Sequence, residues 1–502
     1  MHASPGLRAL VYGLLAFAVS AGIATAQPVP ADFMDDRSLP AGPRGERIRE
    51  LLDAVNSGDP ARIERLAKSF AGEFAKISVS EHVSQLGSLN DFGRGFDLYG
   101  VRRYPSQPRS DREVVVVRNR LTEAWQAFVV LFDDSPEARI TGIQTQPARP
   151  PKDQPPLPPL TLDQAKADID AFLDRLAKAA AFSGTVLIGR DGQVLYTAAR
   201  GIAERNHDVP VRLDTKFNLG SMDKMFTAVT VASLVEDGTL RFEDPVSKHL
   251  GGKGWTKADM SKVTIAHLLT HTSGLGSYFN DRYQRTARQL LRTVNDYKPL
   301  VAEETLAFEP GTKQQYSNTG FLLAGAVIEA ATGRDYFDVV RERVYGKAGM
   351  TGSDSYDIDL VVPHLAIGYS RERAPEGPRW RANTFEHVIR GGPAGGGYST
   401  AQDLFAFAEA LRTHKLVSAE MRERLWSPKP ELHSPTYGFG FGLWTNPLGR
   451  SVGHSGGFAG ISSLLNMHPD TGWTVVVLSN VDRGAEAVEE RVTQTLSRVQ
   501  AR

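Results

Sequence analysis

The chain has 502 residues, of which 41% are apolar and 23% charged, enough for about two or three globular domains. Lysine plus arginine and aspartate plus glutamate each number 58, and this formal net charge of zero argues against a nucleic-acid partner. There is no cysteine, which excludes disulfides, thiolate catalysis and cysteine metal sites.

The N-terminus, MHASPGLRALVYGLLAFAVSAGIATAQ, has a basic start at Arg8, an apolar run and the small-x-small triplet Ala24-Thr25-Ala26. This pattern predicts a secretory signal peptide over 1–26, cleaved before Gln27. An uncleaved anchor is the alternative, but the run is short for a membrane span. Expected consequences are a periplasmic or secreted location and no stable membrane span after cleavage.

Residues 27–145 read as a small α+β domain. GERIRELLDAVNSGD places Ile48, Leu51, Leu52 and Val55 on one helical face, and Asp59-Pro60 opens a second helix. The strand-like runs FDLYGVRRY, EVVVVRN, AWQAFVVLFDD and ARITGIQ follow. Two helices before several strands resemble the cone-shaped domain of nuclear-transport-factor-2-like proteins. No motif here carries chemistry; His82 and the arginines read as surface residues. QPARPPKDQPPLPPL (146–160) is too rich in proline for helix or central strand and predicts a stiff extended linker.

Residues 161–502 form the second expected domain. A helix over 162–181 precedes two strand-like runs flanking Asp191-Gly192, a hairpin signal. SMDKMFTAVTVASLVEDG follows, apolar almost all round, which predicts a buried helix. Residues 245–400 carry mostly helical patterns broken by glycine and proline. TAQDLFAFAEAL continues as a helix, YGFGFGLW, ISSLLNMH and WTVVVLSN read as strands, and AEAVEERVTQTLSRV as an amphipathic helix. Strands thus lie at both ends with helices between. The predicted fold is α/β (α+β): one antiparallel sheet uniting the two ends, flanked by helices, with a helical subdomain beside it.

The buried helix raises a chemical question, because Lys224 sits in its first turn and lysine is costly to bury. Ser221 lies three residues earlier, on the same helical face. A serine hydroxyl becomes nucleophilic when a base takes its proton, and desolvation gives lysine a free lone pair near neutral pH. Ser221–Lys224 is the only Ser-x-x-Lys in the chain. Two further stretches fit. FEPGTKQQYSNTG supplies Tyr316, able to relay a proton, and Asn318, able to orient the lysine and a substrate amide. Tyr278-Phe279-Asn280 also fits Tyr-x-Asn, but Tyr316 is preferred because Pro310-Gly311 makes a turn before it and an apolar helix follows. VGHSGGFAG places His454, Ser455, Gly456 and Gly457 on a strand where backbone N–H groups can face Ser221.

Ser221-Met-Asp-Lys224, Tyr316-Ser-Asn318 and His454-Ser-Gly456, in that order, resemble the serine β-lactamase and penicillin-binding-protein superfamily, particularly class C β-lactamases, D-alanyl-D-alanine carboxypeptidases and family VIII esterases. HLLTHTSGL and GGGYSTAQDL look like further stretches of the same group, and the likeness covers roughly 165–495. The resemblance implies an acyl-enzyme on Ser221, with Lys224 and Tyr316 sharing the proton work, N–H groups of Ser221 and Gly457 holding the oxyanion, and Asn318, His454, Ser455 and Gly456 at the substrate. It implies a small-molecule or peptide substrate, no cofactor and no metal. Many β-lactamases have lysine where this chain has His454, so an esterase or D-peptidase is expected over an efficient β-lactamase. Loops 276–300 and 370–390 are expected to shape the pocket.

The sequence also admits three other readings. GHSGG (453–457) matches the Gly-x-Ser-x-Gly elbow of α/β-hydrolases, yet only His468 follows Ser455 and no acid lies between them. His267 and His271 have metal-ligand spacing but no intervening glutamate, which favours packing and capping. The alternative to an enzyme is a binding or sensing module that is acylated once and does not turn over.

Overall fold

The computed structural model describes residues 32–500 apart from 107, 252–253 and 375–376, so the signal-peptide expectation over 1–26 lies outside the described residues. The first unit contains β1 (Met34–Asp36), α1 (Pro43–Ser57), α2 (Pro60–Ala67), α3 (Val79–Gly93), β2 (Phe96–Arg103), β3 (Arg112–Asn119), β4 (Trp125–Phe132) and β5 (Ile140–Pro147). The strands pair antiparallel in the order β1-β2-β3-β4-β5. α1 buries Ile48, Leu51, Leu52 and Val55 as its periodicity predicts, and the Asp59 carboxylate caps α2 by accepting from Ala61 N.

Two elements escape the sequence pattern. β1 is only three residues long. α3 starts at a Ser78 cap that accepts from Glu81 N, but its serines, glycines and asparagine are poor helix formers. It also overturns the surface position expected for His82. That ring is 1% exposed, its Nε2 lies 2.9 Å from the Phe74 carbonyl, and Phe70 and Phe74 pack against it. Arg102 is likewise buried rather than exposed, its guanidinium spanning both oxygens of Asp35 on β1.

The proline-rich segment that follows is fastened at its middle and at its end. Asp153 binds Arg37 and accepts from the Tyr99 hydroxyl, while Leu160 N donates to Arg498 O at 2.8 Å.

The second unit starts with α4 (Leu162–Lys178), opened by a Thr161–Gln164 capping box. β6 (Gly184–Arg190) and β7 (Gln193–Arg200) form the expected hairpin, with Asp191 and Gly192 both at positive φ, 49° and 85°. Then come α5 (Asp223–Glu236), α6 (Asn318–Thr332), α7 (Ala401–Arg412), β8 (Gly442–Asn446), β9 (Gly449–Phe458), β10 (Ile461–Met467), β11 (Trp473–Ser479) and α8 (Gly484–Leu496), with shorter helices between α5 and α6. The sheet order is β8-β9-β10-β11-β6-β7, all antiparallel. The two ends of the unit therefore meet, Val477 of β11 opposite Val186 of β6. The largely helical expectation for 245–400 misses an antiparallel hairpin, 369–374 with 377–382.

Each sheet face buries its own core. One packs against α4 and α8 through Phe172, Leu176, Val475, Val477, Val488 and Val492. The other packs against α5, α6 and α7, where Met222, Met225, Phe226 and Val229 of the Ser221–Lys224 segment are fully buried. Leu121 of the first unit inserts into the α4/α8 core, and its carbonyl accepts from Arg175 Nε at 2.9 Å.

Candidate active site

Ser221 sits in a single 3-10 turn, Gly220–Met222, between the short strand Phe217–Asn218 and α5. That strand pairs with Tyr398–Ser399, which fixes the entry of the turn. The Asn218 side chain locks it, accepting from Gly220 N at 2.9 Å and donating to Gly396 O at 3.0 Å. Gly220 has φ 52°, and a Cβ there would fall 2.9 Å from the Gly457 nitrogen, so the turn and β9 touch backbone to backbone. Gly456 is similarly tight: a Cβ would lie 1.8 Å from Leu219 O. Glycine in this strand is what brings the backbone of β9 against Ser221.

Lys224 is 0% exposed. Its Nζ lies 3.2 Å from Ser221 Oγ and 2.9 Å from Asn318 Oδ1, and it also donates to Ala394 O. Burial lowers its pKa to about 7, the neighbouring Asp223 opposing that shift. Asp223 is itself buried, and burial raises its carboxyl to about 7 against the pull of Gly397 N–H. The amine thus sits at the threshold between its two protonation states at neutral pH.

α6 delivers the other groups through its first residues. Ser317 caps the helix, accepting from Gly320 N. Asn318 accepts from Lys224 and donates from Nδ2 to Ser277 Oγ at 3.1 Å. The Tyr316 hydroxyl lies near Ser221, and Lys224 Nζ stands 4.8 Å from the Tyr316 ring centroid. Burial of the hydroxyl raises the phenol's pKa and the Ser221 side chain lowers it; with the residue 40% exposed, solvent tempers the first effect.

Beneath this triad lies a layer of rings. His271, at φ 63°, packs with its ring tilted to those of Tyr316 and Tyr437, at centroid distances of 4.2 Å and 4.6 Å. Its Nδ1 accepts from Ser317 N at 3.1 Å, so the neutral ring carries its proton on Nε2, which has no partner among the described residues. Burial holds the ring neutral. His454 Nε2 lies 2.9 Å from the Tyr437 hydroxyl and its Nδ1 2.6 Å from Ser455 O. Burial, then Lys224, lowers its pKa to about 3. His454 and Gly456 are buried, while Ser455 and Gly457 are exposed along the strand. The structure therefore gathers Ser221, Lys224, Tyr316 and Asn318 directly, brings Gly457 to the nucleophile turn, leaves Ser455 open, and makes His454 a covered floor.

Sequence reasoning missed Ala394, Ser277 and Tyr437, and read His271 as a packing and capping residue, as the structure has it. Ser277 and His271 fall within or just after HLLTHTSGL, a stretch singled out without a role. His267 Nδ1 accepts from Thr264 N in a capping box, matching the capping reading of that histidine. Ser455 lies within β9 rather than on a strand-to-helix turn, unlike a nucleophile elbow.

A family model described as Beta-lactamase matches residues 169–500. A penicillin-binding protein of Bacillus subtilis (strain 168) is 33% identical over 331 residues, covering 63% of this chain and 72% of that protein. Esterase EstB of Burkholderia gladioli is 30% identical over 320 residues, 56% of this chain and 80% of its own. Among solved structures, a D-stereospecific amidohydrolase from Streptomyces sp. superposes with a TM-score of 0.54 at 28% identity, over 65% of this chain and 97% of that one.

Proposed function

This chain belongs to the Beta-lactamase family, within the serine β-lactamase and penicillin-binding-protein superfamily of serine hydrolases, and from that premise we propose that it cleaves an ester or amide through an acyl-enzyme on Ser221. The observation that carries this reading is the buried Lys224 amine 3.2 Å from Ser221 Oγ. A neutral amine has two hydrogens and one lone pair. Asn318 Oδ1 and Ala394 O are acceptors only, so they take both hydrogens and leave the lone pair for the Ser221 proton.

Ser221 Oγ attacks the substrate carbonyl as its proton passes to Lys224, with Tyr316 in contact with the same hydroxyl. The oxyanion forms against the N–H groups of Ser221 and Gly457. Tyr316, recharged from Lys224, protonates the leaving group. Water then enters, and the same pair removes its proton to release the acid. Asn318 holds Lys224 and borders the substrate, and Ser455 offers a hydroxyl on the open strand edge.

The reading favours a short-chain ester or a D-amino-acid peptide over a β-lactam. Relatives described as an esterase and a D-stereospecific amidohydrolase support it, as does His454, which burial keeps neutral and so unable to offer a charge to a carboxylate. The test is steady release from p-nitrophenyl acetate, a chromogenic cephalosporin and a D-Ala-D-Ala peptide, wild type against Ser221→Ala. Turnover of an ester or the peptide that disappears in the variant supports the reading; a single burst equal to the protein concentration overturns it in favour of a sensor. We further propose export, with residues 1–26 removed, and a division into a 27–145 unit, a 146–160 linker and a 161–502 hydrolase unit. N-terminal sequencing of the mature protein and limited proteolysis test these two statements.

A further inference from the structure

The Tyr278-Phe279-Asn280 stretch, unused by the chemistry above, supplies one side of the site's mouth. Tyr278 is buried and Asn280 caps the following short helix, but Phe279 stays 37% exposed. Its backbone N donates to Ser277 Oγ, the same oxygen that receives Asn318 Nδ2, so Phe279 is two bonded steps from the Lys224 partner. Across the mouth stands Phe458, the residue after Gly457 on β9. The two rings are stacked, with centroids 5.8 Å apart and planes 24° from parallel. Tyr283 meets Phe279 edge-on at 4.8 Å, and the Tyr283 hydroxyl donates to Glu386 O, next to a Phe385 that is 91% exposed.

An aromatic bridge between the Asn318 side and the oxyanion side keeps apolar ring surface in water beside the reacting atoms. Such surface gains most when a flat apolar group covers it. We propose that Phe279 and Phe458 form a specificity subsite for an aromatic acyl group, so that the preferred substrates are esters or amides of arylacetic-type acids. This rests on the acyl-enzyme reading of Ser221.

The experiment compares p-nitrophenyl phenylacetate with p-nitrophenyl acetate, which share a leaving group, in wild type, Phe279→Ala, Phe458→Ala and Ser221→Ala. Each kcat/KM is divided by the ester's hydroxide-catalysed rate. We expect wild type to favour phenylacetate by about tenfold or more, and each phenylalanine variant to lower that ratio by about fivefold or more. Two substitutions on separate segments guard against a local folding defect, because the ratio within one variant cancels the fraction folded. A wild-type ratio near one, or a ratio unchanged in both variants, overturns the subsite while Ser221-dependent acetate turnover leaves the nucleophile standing. Release that persists in Ser221→Ala sinks the nucleophile, and the subsite with it.

Discussion

Asn318 accepts a hydrogen bond from Lys224 at 2.9 Å through Oδ1, while its Nδ2 is anchored on Ser277. A neutral acceptor at this position leaves the amine free to lose its proton. Asn318→Asp introduces a negative charge on the same atom, which favours the ammonium. The acid limb of kcat/KM for p-nitrophenyl acetate should move up by about one pH unit or more, with little activity left at neutral pH. A limb in its original place would show that Lys224 is not the group titrating.

In wild type that limb should lie near the lowered Lys224 value of about 7, activity rising with pH as the amine loses its proton. Lys224→Arg keeps the charge but cannot give up a proton, and should cost about 10²–10⁴ in kcat/KM at every pH. Steady-state rates across the pH range decide it.

Gly220→Ala tests the oxyanion geometry. The new Cβ would lie 2.9 Å from Gly457 N at a positive φ. The expected loss is about 10²–10³ in kcat, comparable to removing an oxyanion donor. Calorimetry should show a destabilisation of about 1–3 kcal/mol. Full activity in a folded Gly220→Ala protein would place the oxyanion elsewhere.

His271 holds the Ser317 N–H and packs under Tyr316. His271→Ala leaves a buried donor unpaired and a void below the phenol, at a cost of about 2–4 kcal/mol. Asparagine tolerates the left-handed backbone and offers an oxygen, so His271→Asn should recover part of the stability. Denaturant melts of the two variants give the comparison.

Four residues of the proposed mechanism were legible because their spacing is local or their motifs are short. Ser221 and Lys224 are three apart on a helix, and Tyr316 and Asn318 flank a helix cap. Ala394 O is a backbone atom brought in from far along the chain, and no residue type marks it. Ser277 and His271 act through one backbone or side-chain partner each, which only the packed fold reveals. The same limit hid α3: its burial comes from packing against α1, α2 and the Phe70/Phe74 rings, not from its own propensities. His454 shows the reverse case, where the motif suggested a residue at the substrate and burial under Tyr437 made it a covered floor.

A pH effect on stability is expected far from the site. Glu489 on α8 is largely buried, and burial raises its pKa to about 7 from an ordinary 4.5, while it accepts from Asn466 Nδ2 at 2.8 Å. A raised carboxyl pKa means that the folded state holds the extra proton, so stability is lost as pH climbs from about 4.5 through 7. Glu489→Gln keeps the acceptor and removes the charge. It should stabilise the protein by on the order of 2 kcal/mol at about pH 8 and by much less at about pH 5. Equal gains at both values would count against this titration.

The antiparallel join of β11 to β6 makes the order of synthesis matter. Ser221 and Lys224 leave the ribosome before β9, which seats Gly457 against them, and before β11, which ties that half of the sheet to β6. On the acyl-enzyme reading, a growing chain therefore carries an ordinary hydroxyl until the two halves of the sheet close.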